Sequence, residues 1–301
     1  MTPNDLLGRA ERPALVVPFA KMNGAGNDFV VLDNRFLRFS DDELAALARA
    51  VCPRRTGVGA DGLLALDDPA GPGSAGGDPA DFRMRYRNAD GSLATMCGNG
   101  ARCLARFAAG AGLGAEADGA VALAFDTDGG RYTATVPGRA ASGPVTLAVP
   151  PARDYGPAGG TGAVRIWTGT EHAVVFTDRV DAADVDGDGR RLRRDPAFGP
   201  AGTNVDFVEV AGPDRLRVRT FEKGVEAETL ACGTGAVAAA LAAHLGGHLG
   251  AAGAGRQSVA VEMPGGTLEV GFGVGGGAPS EVTLAGPAET VYQGTLEWRG
   301  A

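Results

Sequence analysis

The chain has 301 residues and a net charge of −8. The length predicts two domains, and the charge, without a sustained basic block, argues against nucleic acid and anionic membranes as partners. The longest apolar run falls short of the roughly 18 residues of a membrane span, and four scattered cysteines are too few for a disulfide scaffold, so a reducing cytoplasm is the expected compartment.

The first predicted elements follow an N-terminal extension, residues 1–17, which lacks the apolar region of a signal peptide. A buried strand is predicted from Phe29 to Leu32, after a glycine loop that presents Asn27. Ser40 to Glu43 is typical of a capping box, and the helix that it begins continues to Val51. Further strands in this part of the chain are predicted at residues 63–66, 82–87, 121–126, 131–136 and 145–149.

Two stretches rich in glycine and proline separate these elements. Residues 69–79 are predicted to form a mobile surface loop, and residues 150–162 a linker between the two domains. Residues 181–194 are highly charged and are predicted to be helical or irregular. Strands in the second part of the chain are predicted at residues 163–167, 173–176, 204–210, 216–221, 259–263, 267–272, 281–284 and 289–298.

Two cysteines, Cys97 and Cys232, each stand immediately before a glycine that begins a predicted helix. The first N–H groups of a helix lack intrahelical partners and carry partial positive charge, so both helix starts should attract a carboxylate. A thiol in this position is expected to have a lowered pKa. The residues that follow are Gly98 and Asn99 in the first copy and Gly233 and Thr234 in the second.

The cysteine segments belong to a weak internal repeat. Residues 26–31 resemble residues 203–208, and each copy is followed by strands and then by a Cys-Gly-x-Gly helix start. This order predicts two homologous lobes, each mostly β with a central helix. A small ligand would then lie between the lobes, facing both helix starts.

Two thiols that face one cleft could invert an α-carbon. One thiolate would remove the α-proton of a bound amino acid while the other thiol donates a proton to the opposite face, and the helix dipoles would stabilise the developing negative charge. The reaction would require no cofactor. The cysteines and histidines lack the spacing of a zinc site, and neither Gly-x-Gly copy has the lysine or the spacing of a phosphate-binding loop.

Other chemically interesting residues allow more than one interpretation. Cys52 and Cys103 are interpreted as small buried apolar residues. His172 lies in a predicted Gly/Thr loop, where a catalytic and a structural role are both open. Glu222 and Lys223 could form a solvated pair, but their place at a strand end, before the second cysteine turn, favours a substrate contact.

Four motifs together resemble the diaminopimelate epimerase family. They are KMNGAGNDFVVLDN from Lys21, RNADGSLATMCGNGARCLARF from Arg87, GTNVDF from Gly202 and EKGVEAETLACGTGA from Glu222. The resemblance runs from about Lys21 to the C-terminus. It implies an α/β (α+β) fold of two pseudo-symmetric lobes, each a mostly antiparallel sheet or barrel around a central helix. It also implies cofactor-independent interconversion of LL- and meso-2,6-diaminopimelate, in lysine and cell-wall biosynthesis, by an enzyme that is usually a homodimer.

The resemblance also implies roles for single residues. By motif position, Cys97 corresponds to the family's proton donor and Cys232 to its proton acceptor, with the roles exchanged in the reverse direction. His172 and Glu222 fall on auxiliary catalytic positions, and Tyr292 matches a tyrosine of the dimer interface. The positions implied to bind substrate are Asn27, Asn88, Gly98, Asn99, Thr170, Asn204, Glu222, Lys223, Gly233 and Thr234.

The C-terminal strand is expected to return to the first lobe. The lobe of Cys97 would then comprise residues 18–148 and 287–301, and the lobe of Cys232 residues 149–286.

Three positions depart from the family pattern. Thr170 replaces an asparagine, Lys223 replaces an arginine, and Gly62 stands where some members have glutamine. An arginine binds a carboxylate through two parallel hydrogen bonds whereas lysine supplies a point charge, so these changes concern substrate affinity rather than proton transfer.

Several alternatives remain at this stage. A proline racemase or hydroxyproline epimerase would use the same two-thiol chemistry, although those enzymes favour histidine where this chain has Asn99. A phenazine-biosynthesis isomerase shares the fold but lacks the cysteine pair. A thiol redox sensor and a non-catalytic amino-acid-binding protein are the alternatives from other functional classes.

Overall fold

The computed structural model describes residues 14–69, 79–250, 255–275 and 278–300. The first part of the chain forms β1 (Leu15–Gly24), β2 (Asn27–Asp33), α1 (Asn34–Leu37), α2 (Asp41–Val51), β3 (Gly62–Asp67), β4 (Phe82–Asn88), β5 (Leu93–Ala94), α3 (Gly98–Gly110), β6 (Ala115–Ala117), β7 (Ala120–Thr127), β8 (Gly130–Pro137) and β9 (Val145–Ala148).

The second part forms β10 (Arg153–Ala158), β11 (Ala163–Trp167), β12 (Glu171–Phe176), α4 (Val185–Leu192), β13 (Asn204–Gly212), β14 (Arg215–Glu222), β15 (Ala227–Thr229), α5 (Gly233–Leu245), β16 (Gly255–Met263), β17 (Gly266–Val274), β18 (Ser280–Gly286) and β19 (Glu289–Trp298). Short 3₁₀ turns flank α4 at Val180–Ala182 and Pro196–Phe198.

The same order of strand pairing, which we call the strand plan, occurs twice along the chain. In the part that we call the Cys97 half, residues 15–148, β1 pairs antiparallel with β2, β2 parallel with β3, β3 antiparallel with β4, and β4 parallel with β7, which continues antiparallel into β8 and β9. In the Cys232 half, residues 163–286, the strands β11, β12, β13, β14, β16, β17 and β18 pair in the same order and sense.

The strand registers identify equivalent residues in the two halves. Phe29 lies opposite Gly62 across β2 and β3, and His172 lies opposite Asn204 across β12 and β13. Phe29 therefore corresponds to His172, and Gly62 to Asn204. The repeat expected between residues 26–31 and 203–208 is wrong by one strand, because two adjacent buried parallel strands have similar apolar sequences.

Each half encloses one helix in its main core. The buried side chains of α3 pack among those of β1 to β4 and β7 to β9, and those of α5 among those of β11 to β14 and β16 to β18. All residues of α5 from Gly235 to Ala243 are buried, and most of them are alanines, since a helix that is surrounded by a sheet must be apolar and narrow on every side. α2 and α4 pack on the opposite faces of the two sheets.

Two strand pairs complete the arrangement. β9 pairs with β18 and thereby joins the halves, with Leu147 opposite Leu284. β19 returns to pair antiparallel with β1, with Tyr292 opposite Lys21. The expected α/β fold with two pseudo-symmetric lobes around central helices is confirmed.

Three local expectations need correction or fall outside the structure. β1 begins at Leu15 and buries Val17, so the last three residues of the predicted extension belong to the sheet. Residues 1–13 lie outside the described residues. β10, which pairs with β11, occupies part of the predicted linker. The predicted surface loop falls mainly on residues 70–78, which also lie outside the described residues. No helix in the described ranges is long and apolar enough to cross a membrane.

Candidate active site

The N-termini of α3 and α5 meet where the two halves join. Cys97 and Cys232 are the N-cap residues, both with extended backbone, and neither side chain caps its helix by a hydrogen bond. A Cβ built on Gly233 would lie 4.0 Å from the Cα of Gly98. Because a helix start carries partial positive charge, two such charges face the same small space.

Asn99 ties the two helix starts together. Its Nδ2 donates to the carbonyl oxygen of Ala231, immediately before Cys232, at 3.3 Å. Its Oδ1 accepts from the guanidinium of Arg102 at 2.7 Å. Both side chains are buried, so the contact between the halves is held from inside the core.

The Cys97 thiol faces the side-chain amide of Asn27, which Asp61 holds in place. Cys97 Sγ lies 3.6 Å from Asn27 Oδ1, while Asn27 Nδ2 donates to Asp61. Asp61 is paired in turn with Arg54 at 2.5 Å, and Arg54 also pairs with Asp28 at 2.8 Å. The amide oxygen of Asn27 is therefore directed at the thiol.

The Cys232 thiol faces instead a hydroxyl group that is linked to an imidazole and a carboxylate. Cys232 Sγ lies 3.4 Å from Thr234 Oγ1, and Thr234 Oγ1 lies 3.0 Å from His172 Nε2. His172 Nδ1 lies 2.7 Å from Asp206 Oδ2, with both side chains fully buried. His172 belongs to β12 and not to a loop as expected, which explains how the ring is held between α5 and β13.

The pKa of both thiols is shifted in the direction opposite to that expected. Burial raises the pKa of the Cys97 thiol, although the N–H of Gly100 at the helix start acts against that shift. Burial raises the pKa of the Cys232 thiol well above its ordinary value, and the negative charges of Glu222 and Asp206 act in the same direction. Desolvation thus outweighs the helix start in both halves.

A mixed-charge cluster lies beside Asn204. Asn204 Oδ1 accepts from the backbone N–H of Lys223 at 2.7 Å, and Asn204 Nδ2 lies 3.4 Å from His172 Nε2. Lys223 Nζ donates to Glu171 Oε2 at 2.5 Å, and the Thr170 hydroxyl donates to the same oxygen at 3.1 Å. Two of the departures from the family pattern therefore contact one acid that the sequence analysis did not select.

Glu222 and Asn88 occupy equivalent strand ends. The registers of β3 with β4 and of β13 with β14 place Glu222 at the position of Asn88 in the other half. Burial raises the pKa of Glu222. Asn88 Nδ2 donates to Ser92 Oγ at 3.0 Å.

The third departure, Gly62, has a steric explanation. A Cβ at this position would lie 2.6 Å from the Tyr86 ring and 2.7 Å from the carbonyl oxygen of Arg87. Only glycine fits beside the ring without movement, so no side chain projects here as Asn204 does in the Cys232 half.

The structure brings most of the predicted site residues together around the two helix starts. Tyr292 lies instead on β19, where its ring packs edge-on against Phe19 at 5.9 Å between centroids and is 45% exposed. Asp206, Asp61 and Glu171 were not predicted as site residues from the sequence. For Asp206 a signal existed, because an acid inside the apolar strand of the GTNVDF motif is unusual unless it is paired. Among the described residues no group of His, Cys, Asp and Glu could hold a metal ion.

Solved structures share this fold at low sequence identity. The phenazine biosynthesis protein of the PhzF family from Bacillus anthracis superimposes with a TM-score of 0.69 at 14% identity, covering 94% of this chain and 99% of that one. A hydroxyproline epimerase from Agrobacterium vitis superimposes with a TM-score of 0.63 at 17% identity, covering 94% and 93%. These similarities identify the fold alone.

Sequence relatives are more specific. The diaminopimelate epimerase of Chlorobaculum tepidum is 41% identical over 277 residues, which cover 91% of this chain and 99% of the relative. The diaminopimelate epimerase of Flavobacterium psychrophilum is 35% identical over 276 residues, covering 92% and 98%. The family profile for diaminopimelate epimerase matches residues 19–146 and 159–291. The chain belongs to the diaminopimelate epimerase family.

Proposed function

We propose that this protein interconverts LL- and meso-2,6-diaminopimelate, without a cofactor, by moving a proton between one α-carbon and two cysteine side chains. The observation that carries the proposal is the meeting of two helix starts, each begun by a cysteine, with Gly98 and Gly233 almost in contact. A small amino acid placed there would have one sulfur on either side.

The reacting carboxylate would be held by the two helix starts. The N–H groups of Gly98 and Asn99 on one side, and of Gly233 and Thr234 on the other, have the charge and direction that bind an anion. Binding the carboxylate between them would place the α-carbon near both N-cap residues. The same dipoles would stabilise the carbanion that forms when the α-proton leaves.

The proton transfer would need one thiolate and one thiol. In the direction implied by the resemblance, the Cys232 thiolate takes the α-proton and becomes a thiol, while Cys97 gives its proton to the opposite face of the carbon and becomes a thiolate. The reverse reaction starts from the state that this leaves. His172 and Glu222 would assist, His172 from beside Thr234 and Glu222 as a carboxyl group whose pKa is raised by burial.

The far end of the substrate would lie among Asn27, Asn88, Asn204, Glu222 and Lys223. Amides can both donate and accept hydrogen bonds, while Lys223 would attract a carboxylate and Glu222 an ammonium group. This mixture suits the second amino and carboxyl groups of diaminopimelate. Thr170, which donates to Glu171, would contact the substrate less directly.

The assembly and compartment belong to the same proposal. The protein would act as a cytoplasmic homodimer in the diaminopimelate route to lysine, with Tyr292 and the exposed face of β19 in the dimer interface. The exposed side chains of Val291 and Tyr292 support this assignment.

The decisive experiment measures deuterium incorporation at the α-carbon in heavy water, with a reductant and without pyridoxal phosphate. LL-Diaminopimelate, L-proline and trans-4-hydroxy-L-proline are compared in parallel. Exchange together with meso product from diaminopimelate alone is the expected result. Exchange with the imino acids alone would move the protein to the proline racemase type, and no exchange with any of them would remove the proposed function.

A further inference from the structure

The two halves differ at three equivalent positions beneath the cysteine helices. The registers pair Phe29 with His172, Leu64 with Asp206 and Tyr86 with Thr220. The same backbone plan therefore carries an apolar set in the Cys97 half and a hydrogen-bonded polar set in the Cys232 half. In the Cys97 half, Phe29 and Leu64 fill these positions as part of the hydrophobic core.

The polar set is a connected and fully buried network. Asp206 Oδ1 accepts from the Thr220 hydroxyl at 2.8 Å, and Asp206 Oδ2 lies 2.7 Å from His172 Nδ1. A carboxylate can only accept hydrogen bonds, so the proton of the neutral imidazole is on Nδ1 and Nε2 carries the lone pair. Burying a carboxylate is costly unless its hydrogen bonds are satisfied, and here both oxygens are bound.

The other imidazole nitrogen lies between the start of α5 and Asn204, whose Nδ2 is 3.4 Å from His172 Nε2. His172 Nε2 lies 3.0 Å from Thr234 Oγ1, and Thr234 Oγ1 lies 3.4 Å from Cys232 Sγ. Gly235 leaves the necessary space, since a Cβ there would lie 2.4 Å from Asp206 Oδ1. A continuous chain of polar contacts therefore joins the buried carboxylate to the Cys232 thiol.

The Cys97 half offers its thiol no comparable base. The polar neighbour of Cys97 Sγ is the amide oxygen of Asn27 at 3.6 Å, and an amide accepts a hydrogen bond but does not take up a proton at neutral pH. The equivalents of His172 and Asp206 are the hydrocarbon side chains of Phe29 and Leu64. The two thiols thus differ in whether a chain of polar contacts leads to an imidazole. Glu222 acts on the pKa of both thiols and does not distinguish them.

We propose that Asp206, His172 and Thr234 form a proton relay that ionises Cys232, with Asp206 as the positioning residue that fixes the tautomer and direction of His172. The Cys232 thiol passes its proton to Thr234 Oγ1 while Thr234 passes its own to His172 Nε2. A thiolate and an imidazolium remain, and Asp206 opposes the imidazolium charge. The relay deepens the proposed function, because it makes Cys232 the thiol that starts as base and leaves Cys97 as the acid.

Alkylation by iodoacetamide tests the relay without any substrate. Rates at Cys232 and Cys97 are measured separately by peptide mapping, in the unmodified protein and in Asp206→Asn and Thr234→Val. Each variant should slow alkylation of Cys232 by at least about tenfold, because the thiol proton no longer reaches His172 Nε2 and the thiolate fraction falls. In Asp206→Asn this loss should outweigh the removal of a negative charge that by itself raises the Cys232 pKa. Cys97 in the same molecule is the internal control and should not change. Equal rates at Cys232 in all three proteins would overturn the relay.

The tautomer of His172 is a second, independent readout. The chain has 3 histidines, so their imidazole nitrogens can be assigned by ¹⁵N NMR. The unmodified protein and Asp206→Glu should show His172 protonated on Nδ1, Asp206→Asn should lose that preference, and Thr234→Val should keep it. A tautomer that is unchanged in Asp206→Asn would reduce Asp206 to a structural role and contradict the proposal.

A double variant distinguishes loss of the relay from loss of folding. His172→Phe with Asp206→Leu copies the residues of the Cys97 half and should remain folded, with Cys232 alkylated as slowly as in Thr234→Val. In the deuterium-exchange assay Asp206→Asn should lower kcat by roughly 10²-fold, as for loss of a general base, with little change in KM. If the unmodified protein does not act on diaminopimelate, the alkylation result still stands or fails by itself.

Discussion

The Cys97 half and the Cys232 half share a strand plan but surround their cysteines differently. Beneath α3 the equivalent positions carry Phe29, Leu64 and Tyr86, and beneath α5 they carry a histidine, an aspartate and a threonine. The sheet order, the central helix and the glycine after each cysteine are the same in both. What the halves share thus builds the fold and, on our proposal, the carboxylate site, whereas what differs would assign the chemical roles.

The most severe test of this comparison removes one thiol at a time. Cys97→Ser and Cys232→Ser should each lower the rate of epimerisation by about 10³-fold or more, because both faces of the carbon need a proton carrier. Chiral chromatography of the product measures the rate. Cys52→Ala, at a buried thiol outside the site, is the matched control. Near-normal turnover in either serine variant would mean that one half alone performs the chemistry.

The next test adds a methyl group to the second glycine of each helix. Gly235→Ala places a Cβ 2.4 Å from Asp206 Oδ1, whereas Gly100→Ala places it 3.2 Å from the flexible end of Leu64. Overpacking should destabilise Gly235→Ala by about 2 kcal/mol. The better helix propensity of alanine, about 1 kcal/mol, favours both variants. It should offset the small steric cost of Gly100→Ala but only part of that of Gly235→Ala. Urea unfolding measures both, and equal losses would contradict the difference between the halves.

A third test uses alkaline pH. Burial raises the pKa of the thiols in both halves, to about 12 for Cys52 and Cys103 and above the ordinary value for Cys97 and Cys232. Below the unfolded-state pKa, this contribution to stability is fully present. As pH rises above that value the unfolded chain loses protons first, so stability falls until the folded thiols ionise, by at most about 1.4 kcal/mol per pH unit for each thiol.

Two buried thiols outside the site test this alkaline loss. Cys52→Ala and Cys103→Ala should each flatten the decline, because each removes a thiol whose pKa is raised by burial to about 12. Denaturation midpoints between pH 8 and pH 11 would give the slopes. A decline that neither variant changes would show that other groups cause it.

The smallest expected effect concerns Lys223, whose equivalent in the Cys97 half is Ala89 by strand register. Lys223→Met should raise KM for diaminopimelate by about fivefold, roughly 1 kcal/mol for a partly buried charged contact, with kcat little changed. Lys223→Arg is the matched control and should retain the affinity. A fall in kcat at constant KM would place Lys223 in the proton transfer instead.

Local sequence signals predicted much of the fold. The capping box of Ser40 and Glu43 forms as expected at the start of α2, and the two cysteine helices begin where the glycines indicate. β1 and β10 were missed for a physical reason. Both contain proline and lack alternation, and they are held in place by β19 and β11, partners that lie far along the chain or beyond a turn.

The site was predictable where motif and helix start coincide, as at Cys97 and Cys232. The direction of their pKa shift was not, because it depends on burial that only the packed halves create. The structural equivalence of Thr170 with Asn27 could not be predicted either, because it follows from strand register and not from sequence similarity.

The pairing of β19 with β1 has a consequence for synthesis of the protein. β1 lies at residues 15–24 and its partner β19 at residues 289–298. β1 can therefore pair with β19 only when synthesis of this sequence is almost complete. At usual translation rates the delay is on the order of tens of seconds. During that time one edge of β1 is unpaired, whereas its other edge can already pair with β2. A nascent chain of this protein therefore has an early window in which chaperones could protect an exposed strand edge.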